Sequence, residues 1–143
     1  MVEAQQSEAP ATPRSTRPVI VVGYSSKPEG RAALKQGVAE AELRKADLIV
    51  VHTSLDVAVA DLHAELESTG LPYEVKEAAD ALDPAEELIS TAEERGAEFI
   101  IIGLRRRSPV GKLLLGSNAQ RVLLDAACPV LAVKAEAPSA TAD

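Results

Sequence analysis

The chain has 143 residues, and 46% of them are hydrophobic, which suits one domain with a buried core. Its net charge of −7 argues against a nucleic-acid partner, because binding to a phosphate backbone requires a basic face. Two tyrosines and one phenylalanine, with no tryptophan, cannot build a stacking platform for single strands. No apolar stretch approaches the length of a membrane span, so we expect no membrane partner either.

The two ends of the chain differ in composition from its middle. Residues 1–17 and 135–143 are rich in alanine, proline, serine and threonine, which is typical of disordered tails. We therefore predict one domain over residues 18–134. The first segment lacks the apolar middle region of a secretory signal, and a single cysteine, Cys128, permits no internal disulfide. Both observations favour the cytoplasm.

Five short segments predict strands. Four of them are apolar throughout, namely Val19–Val22, Leu48–Val51, Phe99–Ile102 and Val130–Val133. Such runs indicate strands that are covered on both faces, as in a parallel sheet between two helical layers. The fifth, Tyr73–Lys76, alternates polar and apolar residues, which favours a strand at an edge of the sheet.

Helix start signals lie between these strands. Ser26–Lys27–Pro28–Glu29 matches a capping box with proline in the first turn, and Asp83–Pro84–Ala85–Glu86 is similar. Ser117 opens a further predicted helix, while Gly70 and Gly96 stand where C-terminal caps belong. The result is an alternating β/α order, which predicts an α/β fold with a single doubly wound parallel sheet.

One segment, residues 97–134, carries most of the functional signal. A buried strand ends at Gly103 and is followed by a predicted loop with Arg105–Arg107 and Gly111. The cluster Gly116–Ser117–Asn118 then begins a helix. Glycine allows close approach of the backbone to a phosphate, and the N–H groups of a helix start favour negative charge. The pattern therefore predicts an anion site; the alternative is an ordinary connection with solvated arginines.

The end of this segment, GKLLLGSNAQRVLLDAACPVLAVK, resembles the signature of universal stress proteins. In nucleotide-binding members the signature runs glycine, two residues, glycine, nine residues, then Gly-Ser or Gly-Thr. Gly103 and Gly116–Ser117 match its ends, whereas Arg106 stands at the middle glycine. The resemblance extends from about Pro18 to Lys134. It implies strand order 3-2-1-4-5 in a five-stranded parallel sheet with helices on both faces.

The resemblance also implies an adenine-nucleotide site where the first and fourth strands end. In such a sheet the crevice opens where the connections from these strands diverge to opposite faces. The predicted ligand is ATP or AMP, with Mg²⁺ as a candidate companion of ATP. The predicted binding residues are Gly23, Tyr24, Ser25, Thr53, Gly103, Arg106, Gly116, Ser117 and Asn118.

Two of these positions depart from the family pattern. Ser25 stands where nucleotide-binding relatives usually carry an aspartate, and a hydroxyl is a weaker acceptor. Arg106 either contacts a phosphate or fills the space of the nucleotide. An alternative function is therefore a nucleotide-free homodimer that acts as an interaction protein.

The last predicted strand suggests how a dimer forms. Val130, Leu131, Ala132 and Val133 would leave an apolar edge exposed, and such an edge invites pairing. The resemblance implies a homodimer through this strand, as in many universal stress proteins.

Catalytic candidates are few. His52 at a strand end is either a general base or a hydrogen-bonded structural residue, and Ser117 has no evident base. Gly111–Lys112 is not a Walker A loop, because Arg106 and Leu113 occupy positions that need glycine and a hydroxyl residue. No metal-ligand spacing occurs. We therefore expect a binding protein rather than an enzyme, with a slow ATPase or transferase as the remaining alternative.

Overall fold

The computed structural model describes residues 17–52, 58–78, 83–107 and 112–135. Five parallel strands form a sheet in the order β3-β2-β1-β4-β6. Along the chain this is the predicted order 3-2-1-4-5, so the fold class is confirmed. The strands are β1 (Val19–Tyr24), β2 (Asp47–His52), β3 (Tyr73–Glu77), β4 (Phe99–Arg107) and β6 (Val130–Lys134).

Helices cover both faces of the sheet. They are α1 (Pro28–Arg44), α2 (Val59–Glu67), α3 (Pro84–Arg95) and α4 (Ser117–Asp125). Helices α1 and α2 pack on one face with Ile20 and Val22, whereas α3 and α4 pack on the other with Val21. Neighbouring residues of a strand point to opposite faces, and both faces are covered. This explains why the central strands are apolar throughout.

The arginine triplet lies in a strand and not in the predicted loop. Strand β4 continues through Arg107, beyond the last residue that pairs with β1. Its last three residues pair in antiparallel fashion with a strand that the sequence did not predict, β5 (Lys112–Leu114). The prediction of a loop at Arg105–Arg107 was therefore wrong. Backbone pairing with β5 extends strand β4 through these three residues. Gly111 lies outside the described residues.

The helix caps agree with the sequence only in part. The side chain of Asp83 accepts a hydrogen bond from the Glu86 amide at 3.2 Å, as predicted for an N-cap. Gly96 ends α3 at a φ of +62°, which favours glycine. The predicted capping box at Ser26 is wrong, because Lys27 is the N-cap of α1 and makes no side-chain capping bond. Ser117 is already the first residue of α4, with Gly116 as its N-cap.

The outer strands differ in composition and exposure. Glu74 and Glu77 on β3 are exposed, in keeping with its place at one edge. On β6 Leu131 and Ala132 are exposed, although the strand is apolar. The predicted tails lie outside the described residues apart from Arg17, which forms an ion pair with Asp47, and Ala135.

Candidate functional site

A cavity of about 270 Å³ opens at the carboxyl ends of β1 and β4. From β1 the chain passes to α1 on one face of the sheet, while the chain after β4 leads to α4 on the other. This is the topological switch point at which ligands bind in doubly wound sheets. The lining residues are Gly23, Tyr24, Ser25, Lys27, Glu29, Gly30, Val51, Pro84, Leu88, Ile102, Gly103, Arg105, Asn118, Ala119 and Val122.

Five predicted site residues come together in this lining. They are Gly23, Tyr24 and Ser25 at the end of β1, Gly103 on β4 and Asn118 on α4, so three separate parts of the sequence meet here.

The other four predicted residues have different positions. Gly116 and Ser117 are exposed at the start of α4, next to Asn118 but outside the cavity lining. Arg106 lies in β4 and pairs with Leu113 of the hairpin. Thr53 lies outside the described residues.

Two of the three glycines in the lining, Gly23 and Gly103, have a packing role that the sequence did not predict. A Cβ atom at Gly103 would overlap the backbone carbonyl of Glu29 in the first turn of α1. A Cβ atom at Gly23 would lie 3.1 Å from Leu88 Cδ1. Glycine at these positions therefore allows helices to approach the strand ends, in addition to leaving room for a ligand.

The lining divides into an apolar part and a polar part. Val51, Leu88, Ile102 and Val122 are each at most 7% exposed and provide an apolar wall. Lys27, Glu29, Arg105 and Asn118 provide charge and hydrogen-bonding groups. An apolar wall with a few polar groups is the usual composition of a small-molecule site.

Charged side chains at the polar part interact with one another only loosely. Arg105 Nε lies 3.6 Å from Glu29 Oε2, and the two side chains are 62% and 18% exposed. Glu29 and Lys27 line the cavity although the sequence did not predict them as site residues. Their place just after the first strand could have revealed them, because the first turn of the helix that follows β1 borders the crevice.

Similarity to known proteins identifies the family of this chain. The model of the universal stress protein family matches residues 57–134. A universal stress protein of Mycolicibacterium smegmatis is 43% identical over 127 residues, which cover 81% of this chain and 97% of that protein. The chain belongs to the universal stress protein family.

Solved universal stress proteins share the fold. One from Archaeoglobus fulgidus has a TM-score of 0.63 and 28% identity, and the match covers 84% of this chain and all of that one (100%). Another structure from Archaeoglobus fulgidus, in complex with dAMP, has a TM-score of 0.57 and 23% identity. That match covers 82% of this chain and 98% of the other. At this identity the second likeness concerns the fold alone.

An ion-pair cluster holds the two helices beside the cavity of this universal stress protein. Arg121 on α4 contacts Asp83 at 3.2 Å and Glu86 at the start of α3, and also Asp125 of its own helix. Hydrogen bonding to Asp83 and the nearby carboxylates raise the pKa of Arg121. Arg121 thus connects the starts of two cavity walls, those that carry Pro84 and Asn118, although its ion pairs are exposed and such pairs contribute little to stability.

His52 lies next to the cavity lining but is not part of it. It pairs in register with Tyr24, is 3% exposed, and its Nδ1 has no hydrogen-bond partner within the described residues. His52 is absent from the lining, so the geometry gives no support to its interpretation as a base acting there.

The described ranges contain neither a candidate metal site nor a candidate membrane span. No group of three His, Cys, Asp or Glu side chains there is arranged to hold a metal ion. No helix in those ranges has both the length and the apolar character needed to cross a membrane.

Proposed function

We propose that this universal stress protein binds an adenine nucleotide, ATP or AMP, in the cavity at the ends of β1 and β4. The observation that supports the proposal most directly is the composition of the lining. Buried Val51, Leu88 and Ile102 offer an apolar surface for the base, and Arg105 and Asn118 offer donors to the phosphates. A relative with the same fold was solved in complex with dAMP, which is consistent with this use of the cavity.

The proposed role is that of a cytoplasmic stress-response or signalling module, in which nucleotide binding alters contacts with partners. Mg²⁺ would accompany ATP through the phosphates, which are its common partners in nucleotide sites. We expect no catalytic turnover, because neither catalytic candidate from the sequence, His52 or Ser117, is among the described residues that line the cavity.

The first test is direct. Mass spectrometry of the protein as purified from cells, after denaturation, is expected to release ATP or AMP. Calorimetric titration of the stripped protein is then expected to give saturable binding of the same nucleotide. If neither nucleotide copurifies and neither binds in the titration, the proposal is wrong.

A second candidate function is a nucleotide-free interaction dimer, and one observation favours it. Ser25 lines the cavity at the position where the family pattern described above usually has an aspartate, and its Oγ already accepts a hydrogen bond from the Lys27 amide at 3.3 Å. Because this hydroxyl is already hydrogen-bonded within the turn, it is a weaker acceptor for a nucleotide than a carboxylate would be. Failure of both nucleotide measurements would favour this alternative.

We further propose that the protein forms a homodimer in either function, and that β6 of one protomer pairs with β6 of its partner. Leu131 and Ala132 are exposed on this edge strand, and Leu123 of the neighbouring helix α4 is 39% exposed. The Pro129 carbonyl bonds to the Ile100 amide, so that carbonyl faces β4. Since backbone groups alternate along a strand, the Ala132 amide faces away from β4 and is free to pair with another copy.

Ala132→Pro should therefore convert the dimer to a monomer while leaving the β4–β6 pairing intact, since proline removes only an outward donor. The mass is measured by light scattering, with circular dichroism as the check of the fold. Ala132→Ser retains the amide and should remain dimeric. An unchanged mass for Ala132→Pro in the folded protein would exclude the β6 interface.

A further inference from the structure

Glu29 is the one acidic residue among the described residues that line the cavity. It lies in the first turn of α1, where the helix dipole stabilises a carboxylate. Its side chain is only 18% exposed, so the carboxylate is held against the cavity and is not a solvated surface charge.

The carboxylate of Glu29 has unused capacity to accept hydrogen bonds. Its one ionic neighbour in the described structure is Arg105, whose Nε lies 3.6 Å from Oε2, beyond ordinary hydrogen-bond distance. The side chain of Arg105 is itself 62% exposed and forms no other ion pair or hydrogen bond among the described residues. A carboxylate accepts about four hydrogen bonds, so both oxygens of Glu29 remain available to donors of a ligand.

Ser25 is less available than Glu29. The Ser25 hydroxyl already accepts from the Lys27 amide, and α1 packs so closely that a Cβ atom at Gly30 would overlap Ser25. Ser25 therefore gives the cavity no anionic acceptor at the end of β1, and Glu29 is the carboxylate that the described lining provides.

We infer that Glu29 accepts hydrogen bonds from the ribose hydroxyls of the nucleotide. This inference rests on the function proposed above. The 2′- and 3′-hydroxyls present two neighbouring donors, and a carboxylate at the crevice of a doubly wound sheet is suited to accept them. In this arrangement the base packs on the apolar wall, Glu29 binds the sugar, and the exposed side chain of Arg105 turns toward the phosphates.

The test compares a nucleotide with its analogue that lacks both hydroxyls. Wild-type protein, Glu29→Gln and Glu29→Ala are titrated with ATP and AMP and with the 2′,3′-dideoxy form of each. Glu40→Gln is a matched control, because Glu40 lies on the same helix, is 19% exposed and pairs with Arg44 at 2.9 Å. Glu40 is absent from the lining of the cavity.

The wild-type protein and Glu40→Gln are expected to prefer the natural nucleotide over its dideoxy form by about tenfold or more. Glu29→Gln should reduce that preference and Glu29→Ala should abolish it. The ratio of the affinities for the natural and the dideoxy nucleotide reports the hydroxyl contact, because a change in the electrostatic potential at the phosphates alters both affinities equally.

The possible failures are distinct. If the wild-type protein binds the natural nucleotide but Glu29→Ala retains the full preference, the role of Glu29 is wrong and the proposed function stands. If the wild-type protein binds no nucleotide, the proposed function fails and this inference fails with it.

Discussion

Gly103→Ala is expected to destabilise the protein by about 3 kcal/mol, since overpacking of a close contact costs amounts of this size. The added Cβ atom would overlap the backbone carbonyl of Glu29. A backbone carbonyl at the start of a helix cannot move aside by a rotamer change, so α1 as a whole must shift from β4. Urea denaturation gives the free energy of unfolding of variant and wild type.

Gly116→Ala is the matched control for this variant. Gly116 has no atom within 4 Å of an added Cβ position, and it caps α4 at a φ of −69°, which any residue can adopt. Loss of a good N-cap residue alone should cost at most about 1 kcal/mol. Equal losses of stability in the two variants would contradict the packing role of Gly103.

Ala119→Leu is expected to lower nucleotide affinity by about 100-fold or more. Ala119 lies on the cavity wall of α4, where the larger side chain would enter a space of about 270 Å³. A ligand that must then displace a buried leucine loses roughly 3 kcal/mol of binding free energy, which corresponds to about two orders of magnitude. Calorimetric titration with ATP and AMP measures the effect.

Gln120→Leu provides the comparison on the same helix. Gln120 is the next residue, is exposed and does not line the cavity, so the same new side chain points elsewhere. This variant should bind as the wild-type protein does, and both variants should keep their far-ultraviolet circular dichroism. Unchanged affinity in a folded Ala119→Leu protein would place the nucleotide outside this cavity.

The sequence by itself determined the five parallel strands. Wholly apolar runs such as Val19–Val22 and Leu48–Val51 specify strands buried on both faces, and the alternation in Tyr73–Lys76 specifies an edge. These signals are local, because the spacing of hydrophobic residues along a strand depends only on whether one or both of its faces are buried. The glycine spacing from Gly103 to Gly116 in turn led to the family, and the comparisons confirm it.

Only the tertiary structure decided what surrounds each site residue. The sequence predicted Gly103 as a place where a ligand approaches, but the Glu29 carbonyl already occupies the space that its Cβ would need. It also predicted a loop at Arg105–Arg107, where the chain instead continues β4 into a hairpin. Both outcomes depend on partners distant in sequence: a helix start for Gly103, and the strand Lys112–Leu114 for the arginines. Local composition cannot specify such contacts, because they arise only when separate elements pack against each other.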